Sequence, residues 1–525
     1  MQKKILSLFL ICLLALGSLA GCGNSASLEG SGSRIPAPGF QTAAYETEEQ
    51  PAVKEVATET QTAQPKYVFL FIGDGMSYPQ FQTASDYLGA VAEPDPEILK
   101  GGKPLSFMNF PVAGSATTFD STSFAPDSAS TATSLSTGHK THSGVINMDE
   151  SKKVSYETIS EKLKEQKGYK IGIITSVNLN HATPAAFYAH QPSRSNYYQI
   201  GQEMLESGFE YFAGGALLQP NGKKNDQVSI YELAQNKGYK VVTTQAAAEK
   251  LTAADGKAII IGETLADSDS LSYENDRAEK EWALKDYVRK GIQVLDNEKG
   301  FFMMVEGGKI DWACHANDAG STVADTIALG EAVEEALAFY NKHPQETLVI
   351  VTGDHETGGL TIGYAGTDYD TFLQNLENQT ISYAKYDKDY VAGYKKNGTP
   401  FADVLKDVKS CFGLMTAEDP DAAKNPKLVL TGYELSLLKA AYEKTMNRGT
   451  AELSQAEYVL YGSYEPLSVT ITHLLNNKSG ISFSSYAHTG LPVAVFARGV
   501  GQDLFKGYYD NTAIYDKVAQ LVNVK

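Results

Sequence analysis

Cysteine is scarce: the chain has four, Cys12, Cys22, Cys314 and Cys411. The first two lie in an N-terminal leader pattern, so a disulfide framework is excluded and the remaining pair allows at most one bridge. Long apolar stretches are lacking as well. The run from Ile5 to Leu16 falls short of the roughly 20 residues that span a bilayer comfortably. No cluster of lysine and arginine with interleaved aromatics occurs, and the net charge is −18, two units more negative once Lys3 and Lys4 are removed. That balance excludes nucleic acid and anionic lipid headgroups as main partners.

What the leader does have is Lys3 and Lys4, the apolar run, and then Leu19-Ala20-Gly21-Cys22. The order is that of an export signal, and the small residues before Cys22 form a lipobox. The expectation is a lipoprotein signal peptide over 1–21, a lipid anchor on Cys22, and a protein held on the outer side of the bacterial cell membrane. Residues 22–65 are rich in Ser, Gly, Thr, Glu, Gln and Pro without apolar periodicity, which reads as a flexible tether. At Lys66 the composition changes abruptly to Tyr67-Val68-Phe69-Leu70-Phe71-Ile72, and a folded domain over 66–525 begins.

That run has the pattern of a fully buried strand, and it ends in the tight turn Gly73-Asp74-Gly75. The pattern recurs. Ile171 to Thr175 leads towards His181-Ala182-Thr183; Phe301 to Val305 ends at Glu306; Leu348 to Thr352 ends at Asp354-His355. Helical stretches lie between, such as Thr158 to Lys167 and Val323 to Tyr340, the latter with Val323/Ile327 and Val333/Leu337 four apart on one face. The alternation predicts an α/β fold, a doubly wound, mostly parallel sheet with helices on both faces. Ligands of such sheets bind beyond the carboxyl ends of the strands, where these Asp, His and Glu residues collect.

Ala125-Pro126-Asp127-Ser128-Ala129-Ser130 opens a helix of about three turns that stops at Gly138, with Asp127 as N-cap. A hydroxyl in its first turn meets unpaired N–H groups and the positive end of the macrodipole, which favour an alkoxide and a bound oxyanion. The same residues also describe a capped, Ser/Thr-rich buried helix. Asp311 and His315 stand at i and i+4, a chelating pair on one helix face. Asp354 and His355 are adjacent and converge only from an irregular loop. His488, by itself, reads as a structural histidine. His139 and His142, with Lys140 between them, read as a solvated turn outside the site.

Taken together, Ile72-Gly73-Asp74-Gly75-Met76, Asp127-Ser128-Ala129-Ser130-Thr131-Ala132-Thr133, His181-Ala182-Thr183-Pro184-Ala185, Val305-Glu306-Gly307 with Ile310-Asp311 and His315, Thr352-Gly353-Asp354-His355, and His488-Thr489-Gly490 stand in the order found in alkaline phosphatases. The chain resembles a bacterial member of that family over about 66–362 and 484–525. The resemblance implies a phosphomonoester hydrolase with two Zn2+ and one Mg2+, acting on small phosphomonoesters through a phosphoserine. It implies Ser128 as nucleophile, Arg194 as the residue that grips phosphate, Asp311, His315 and His488 on one zinc, and Asp354, His355 and Asp74 on the other. Asp74, Thr183 and Glu306 would hold magnesium, and a homodimer is the family's common assembly.

Two positions depart from the best-known bacterial form: His181 replaces an aspartate near magnesium and Trp312 replaces a lysine near the phosphate. Zinc in the third site is therefore an open alternative to magnesium. The resemblance lapses over about 363–483, a tyrosine-rich insertion with capping-box starts at Thr431/Glu434 and Ser454/Glu457, similar to the crown of larger alkaline phosphatases. Two other readings stand beside this one: a phosphodiesterase or sulfatase of the same superfamily, and an inactive lipid-anchored binding protein.

Overall fold

The computed structural model describes residues 64–92, 99–447, 449 and 452–525. The chain divides after Thr58 into two units, the first of which lies outside the described residues. The expected signal peptide, Cys22 and nearly all of the tether fall there too. Among the described residues no helix is long and apolar enough to cross a membrane.

Ten strands build one sheet: β1 (Tyr67–Gly73), β2 (Val112–Thr117), β3 (Lys170–Asn178), β4 (Tyr211–Gly215), β5 (Tyr239–Val242), β6 (Lys257–Ile261), β7 (Phe301–Gly307), β8 (Thr347–Gly353), β13 (Val493–Gly499) and β14 (Gly507–Asp510). Among the described residues four two-residue strands lie outside it: β9 (Glu356–Thr357), β10 (Thr361–Ile362), β11 (Ile481–Ser482) and β12 (His488–Thr489). The order across the sheet is β14-β2-β13-β8-β1-β7-β3-β4-β6-β5. Only β13 runs against its neighbours.

Every residue of β1, β7 and β8 is buried because both sheet faces are covered. Alternate side chains of one strand enter different cores. Tyr67, Phe69 and Phe71 pack with Val349, Val351 and the helix Ala319–Tyr340. Val68, Leu70 and Ile72 pack with Ala129, Ala132 and Leu135 of the helix Ser128–Thr137 and with Ile514 and Val518 of Thr512–Val522. Each large apolar side chain so enclosed contributes about 1.5–3 kcal/mol. Cys314 and Cys411 are both buried free thiols, so the bridge that the sequence allows is not formed.

Two local details differ from the sequence reading. The helix expected from Val323 starts at Ala319, because Asp318 accepts a hydrogen bond from the Ser321 backbone N–H and caps it. It is also buried well beyond the single stripe of Val323 and Val333, since the sheet lies on one side and further helices cover the other. The stretch Thr158 to Lys167 begins as the helix Ile159–Lys162 and finishes as a π-turn over Leu163–Lys167.

Strand register sets the position of the site. Gly73 pairs with Gly307 on one side and Gly353 on the other, so β1, β7 and β8 end flush at one edge. Asp74 and Asp354, one residue past the strand ends, and Glu306, one residue before the end of β7, therefore collect at that edge. Gly75 has φ +73°, and a Cβ there would sit 2.9 Å from Asp311 Cα. Its lack of a side chain lets the helix bearing Asp311 close onto the turn.

Past β8 the chain turns through β9 into β10. It then runs through a helical excursion and returns by β11, the antiparallel partner of β10. Helices Phe401–Phe412, Gly432–Asn447, Gln455–Tyr461 and Pro466–Lys478 form this excursion, and Ser454 and Glu457 make a reciprocal cap on the third. Its core joins Tyr386, Tyr394, Val404 and Phe412. β12 then pairs with β9, which sets His488 directly opposite Thr357 and next to His355.

Candidate active site

Ser128 is the first residue of its helix. Asp127 caps it by accepting from the Ser130 N–H at 3.1 Å, and Gly138 ends it at φ 75°. The small side chains that follow permit burial of the whole helix, and Ser128 itself is only 1% exposed. Its Oγ lies 3.1 Å from His355 Nε2.

Around this hydroxyl the structure brings together residues far apart in sequence. His315 Nε2 is 3.0 Å from His488 Nε2 and 3.4 Å from Asp311 Oδ1, and His488 Nε2 is 3.6 Å from the same oxygen. His355 Nε2 is 3.3 Å from both Asp74 Oδ1 and Asp354 Oδ2. Asp74 Oδ2 accepts from the Thr183 hydroxyl at 3.2 Å, and Asp74, His181 and Glu306 form a further ligand-distance group.

The imidazole tautomers follow from their other partners. His315 Nδ1–H donates to the Tyr486 carbonyl at 2.6 Å, and His488 Nδ1–H donates to the Pro126 carbonyl at 2.5 Å. Thr357 donates its hydroxyl proton to Asp311 Oδ1 at 2.5 Å, so at 3.2 Å it accepts from His355 Nδ1–H. All three Nε2 atoms then present lone pairs to one another or to carboxylate oxygens. Such an arrangement repels itself unless cations lie between the atoms, and nitrogen and carboxylate donors of this kind fit metal ions.

The electrostatics agree. Burial lifts the Asp74 carboxyl well above its ordinary range, and the nearby Asp354, Asp311 and Glu306 push it further. Burial first, and Asp311 second, raise Asp354 to about 8. Burial likewise holds His355 and His488 below their usual values. Asp74 Oδ1, Glu306 Oε1 and His181 Nδ1 are buried without a hydrogen-bond partner.

A pH dependence follows for chelated protein. Asp354 has a folded value near 8, above its unfolded value of 3.8, so the stability it contributes is full below about 4 and is lost as pH rises through 8. Asp354→Asn cannot titrate. Its melting temperature in chelator should therefore gain on the wild type by a few degrees between pH 5 and 9. A difference that stays flat over that range would mean the carboxyl is not crowded as described.

Arg194 stands at the rim, with NH1 donating to Asp127 Oδ2 at 2.9 Å and NH2 donating to His181 Nε2 at 3.0 Å. Trp312 lies beside His181. His139 is exposed and stacks on Tyr156 at 4.1 Å, in keeping with a turn apart from these clusters.

Sequence reasoning missed the residues that hold the carboxylates. Thr131 donates to Asp354 Oδ2 at 3.2 Å, Thr357 to Asp311, and Thr175 to Glu306. Thr131 and Thr357 sit inside or just after quoted motifs, yet a threonine in a strand or helix carries no distinguishing signal. Lys309, two residues before Asp311, carries no such signal either.

A buried hydroxyl at a helix start, beside clustered imidazoles and carboxylates on the carboxyl edge of a parallel sheet, defines a metal-dependent hydrolase of α/β class. The alkaline phosphatase family profile matches residues 65–524, and the chain belongs to that family and is a phosphomonoesterase. It is 29% identical to alkaline phosphatase 4 of Bacillus subtilis over 472 residues, 88% of this chain and 90% of that protein. It is 30% identical to alkaline phosphatase 3 of the same organism, covering 86% of this chain and 88% of that one. Among solved structures, the cold-active alkaline phosphatase of a psychrophilic Shewanella superposes with TM-score 0.69 at 28% identity, covering 87% of this chain and 99% of that chain.

Proposed function

We propose that this phosphomonoesterase is an exported lipoprotein that works through a phosphoserine at Ser128, with two zinc ions and one magnesium. One observation carries the reading: Ser128 Oγ and the carboxylates of Asp74 and Asp354 converge on the same nitrogen, His355 Nε2. A nucleophile and a ligand set thus share one focus.

Asp311, His315 and His488 would hold one zinc, and Asp74, Asp354 and His355 the other. Asp74, Thr183 and Glu306, an all-oxygen set, suit magnesium. When bound, the cations would supply Lewis acidity and the positive charge that this acidic protein lacks. Ser128 Oγ attacks phosphorus as the ester C–O–P bond breaks at phosphorus, and the departing alcohol takes a proton. Water then attacks the phosphoserine, which restores the Ser128 hydroxyl and frees inorganic phosphate. Arg194 offers both guanidinium NH2 groups to the non-bridging oxygens, and Asp127 and His181 keep the fork aimed. The unpaired N–H groups of the helix start add to that stabilisation.

Metal analysis of protein purified without chelator tests the assignment. The expected result is two zinc and one magnesium per chain, with Glu306→Gln losing magnesium selectively. Turnover of an aryl phosphate should exceed that of an aryl phosphodiester by orders of magnitude. Equal turnover would overturn the monoester site.

The leader sequence carries the proposal of a lipid anchor. Cys22→Ala should move the enzyme out of the detergent phase and impair signal processing. Phase partitioning identical to wild type would show that the lipid is not there.

A further inference from the structure

Lys309 is fully buried and occupies the first position of the helix Lys309–His315. Burial of an ammonium is costly, and the positive end of a helix macrodipole adds to that cost. The surroundings offset both. Lys309 Nζ donates to Asp267 Oδ1 and to Ser270 Oγ, each at 2.8 Å. It also lies 3.6 Å from the centroid of the Tyr273 ring and 4.7 Å from that of Trp312, two cation–π contacts made away from water.

Three of these partners, Asp267, Ser270 and Tyr273, belong to the connection after β6. The fourth, Trp312, is on the helix that bears Asp311 and His315. The Trp312 ring stands nearly perpendicular to His181, at 76° with centroids 6.0 Å apart. His181 Nε2 accepts from Arg194 NH2 at 3.0 Å. Continuous contacts therefore run from Lys309 through Trp312 and His181 to the guanidinium. Lys309, being enclosed, cannot touch a substrate.

We infer that Lys309 is a positioning residue for the phosphate pocket: its buried ammonium holds the Trp312 ring beside His181, which keeps His181 in place as the acceptor that aims Arg194. The inference rests on the reading that Arg194 binds the phosphate. An ion pair that served the fold alone would satisfy Asp267 without any consequence for phosphate.

The test compares Lys309→Met, which keeps chain length without charge, with Lys309→Arg, which keeps a cation on the aromatic faces. Both are made in a Trp282→Phe background, so that Trp312 is the single emitting tryptophan. Lys309→Met should raise the phosphate inhibition constant and KM about three- to tenfold, change kcat less, and shift the Trp312 emission. Lys309→Arg should restore both constants to within about twofold. Unchanged phosphate inhibition and unchanged emission in folded, metal-loaded Lys309→Met would overturn the inference. If Lys309→Met does not fold, the partly exposed Asp267→Asn decides, with about a twofold rise in the same constants expected and no change contradicting it. Arg194→Gln separates the two layers: if it leaves phosphate inhibition unaltered, the reading of Arg194 falls and the inference with it. If Arg194→Gln weakens phosphate binding while Lys309→Met does not, the inference falls alone.

Discussion

Ser128→Ala should fold, keep its metals and lose hydrolysis by about a thousandfold or more. Among the described residues the hydroxyl has one side-chain neighbour within hydrogen-bond distance, His355 Nε2 at 3.1 Å, so its loss costs on the order of 1 kcal/mol of stability. The cap on the helix is made by Asp127 and is untouched. The metal ligands named above do not include Ser128, so zinc and magnesium content should match wild type. Activity and metal content are thereby uncoupled in this variant. A Ser128→Ala protein with more than a tenth of wild-type kcat would remove Ser128 from the role of nucleophile.

Asp74→Asn should also give a large loss, through the metals rather than through the nucleophile. Asp74 is fully buried, one of its oxygens meets His355 Nε2 at 3.3 Å, and the other accepts from Thr183 at 3.2 Å, so it faces two ligand clusters at once. Asparagine has the same shape but no charge and only one oxygen. Partners one layer outside a metal typically cost about 10–100-fold in affinity or activity when removed, and a shared direct ligand should exceed that. The expected outcome is a fall of at least about 100-fold in kcat/KM, with loss of more than one metal per chain. In chelator the sign of the stability change reverses. Asp74 has a carboxyl pushed up by burial and by Asp354, Asp311 and Glu306, so an uncharged amide relieves repulsion and the metal-free variant should melt above metal-free wild type. Calorimetry with and without chelator, beside metal analysis, reads both signs. Retention of full metal content would mean that Asp74 does not join the two clusters.

Much of this architecture is legible in the chain itself because its determinants are local. Tyr67 to Ile72, Phe301 to Val305 and Leu348 to Thr352 are apolar runs of strand length, and each ends in a residue that the register then aligns at one edge. Asp127, Ser128 and Gly138 encode a cap, a first turn and a stop within twelve consecutive positions, and the helix spans Ser128–Thr137. What is not legible is held by distance. Thr131 and Asp354 are 223 positions apart, Thr175 and Glu306 are 131 apart, and nothing in either threonine's neighbourhood marks it as a partner. The antiparallel course of β13, the pairing of β12 with β9 that brings His488 to His355, and the closure of the helical excursion by β10 and β11 are likewise long-range pairings. Lys309 is a plainer case. A lysine at a helix start reads as a solvated charge, and only the folded chain reveals two aromatic faces and a carboxylate around it.

The central claim is that phosphate passes through Ser128. Rapid mixing of the metal-loaded enzyme with an isotopically labelled aryl phosphate at acidic pH, an acid quench, and peptide mass spectrometry test it directly. The account predicts labelled phosphate on the peptide carrying Ser128 and none on the corresponding Ser128→Ala peptide. Label on another residue, or turnover with no covalent phosphate at any quench time, would contradict it.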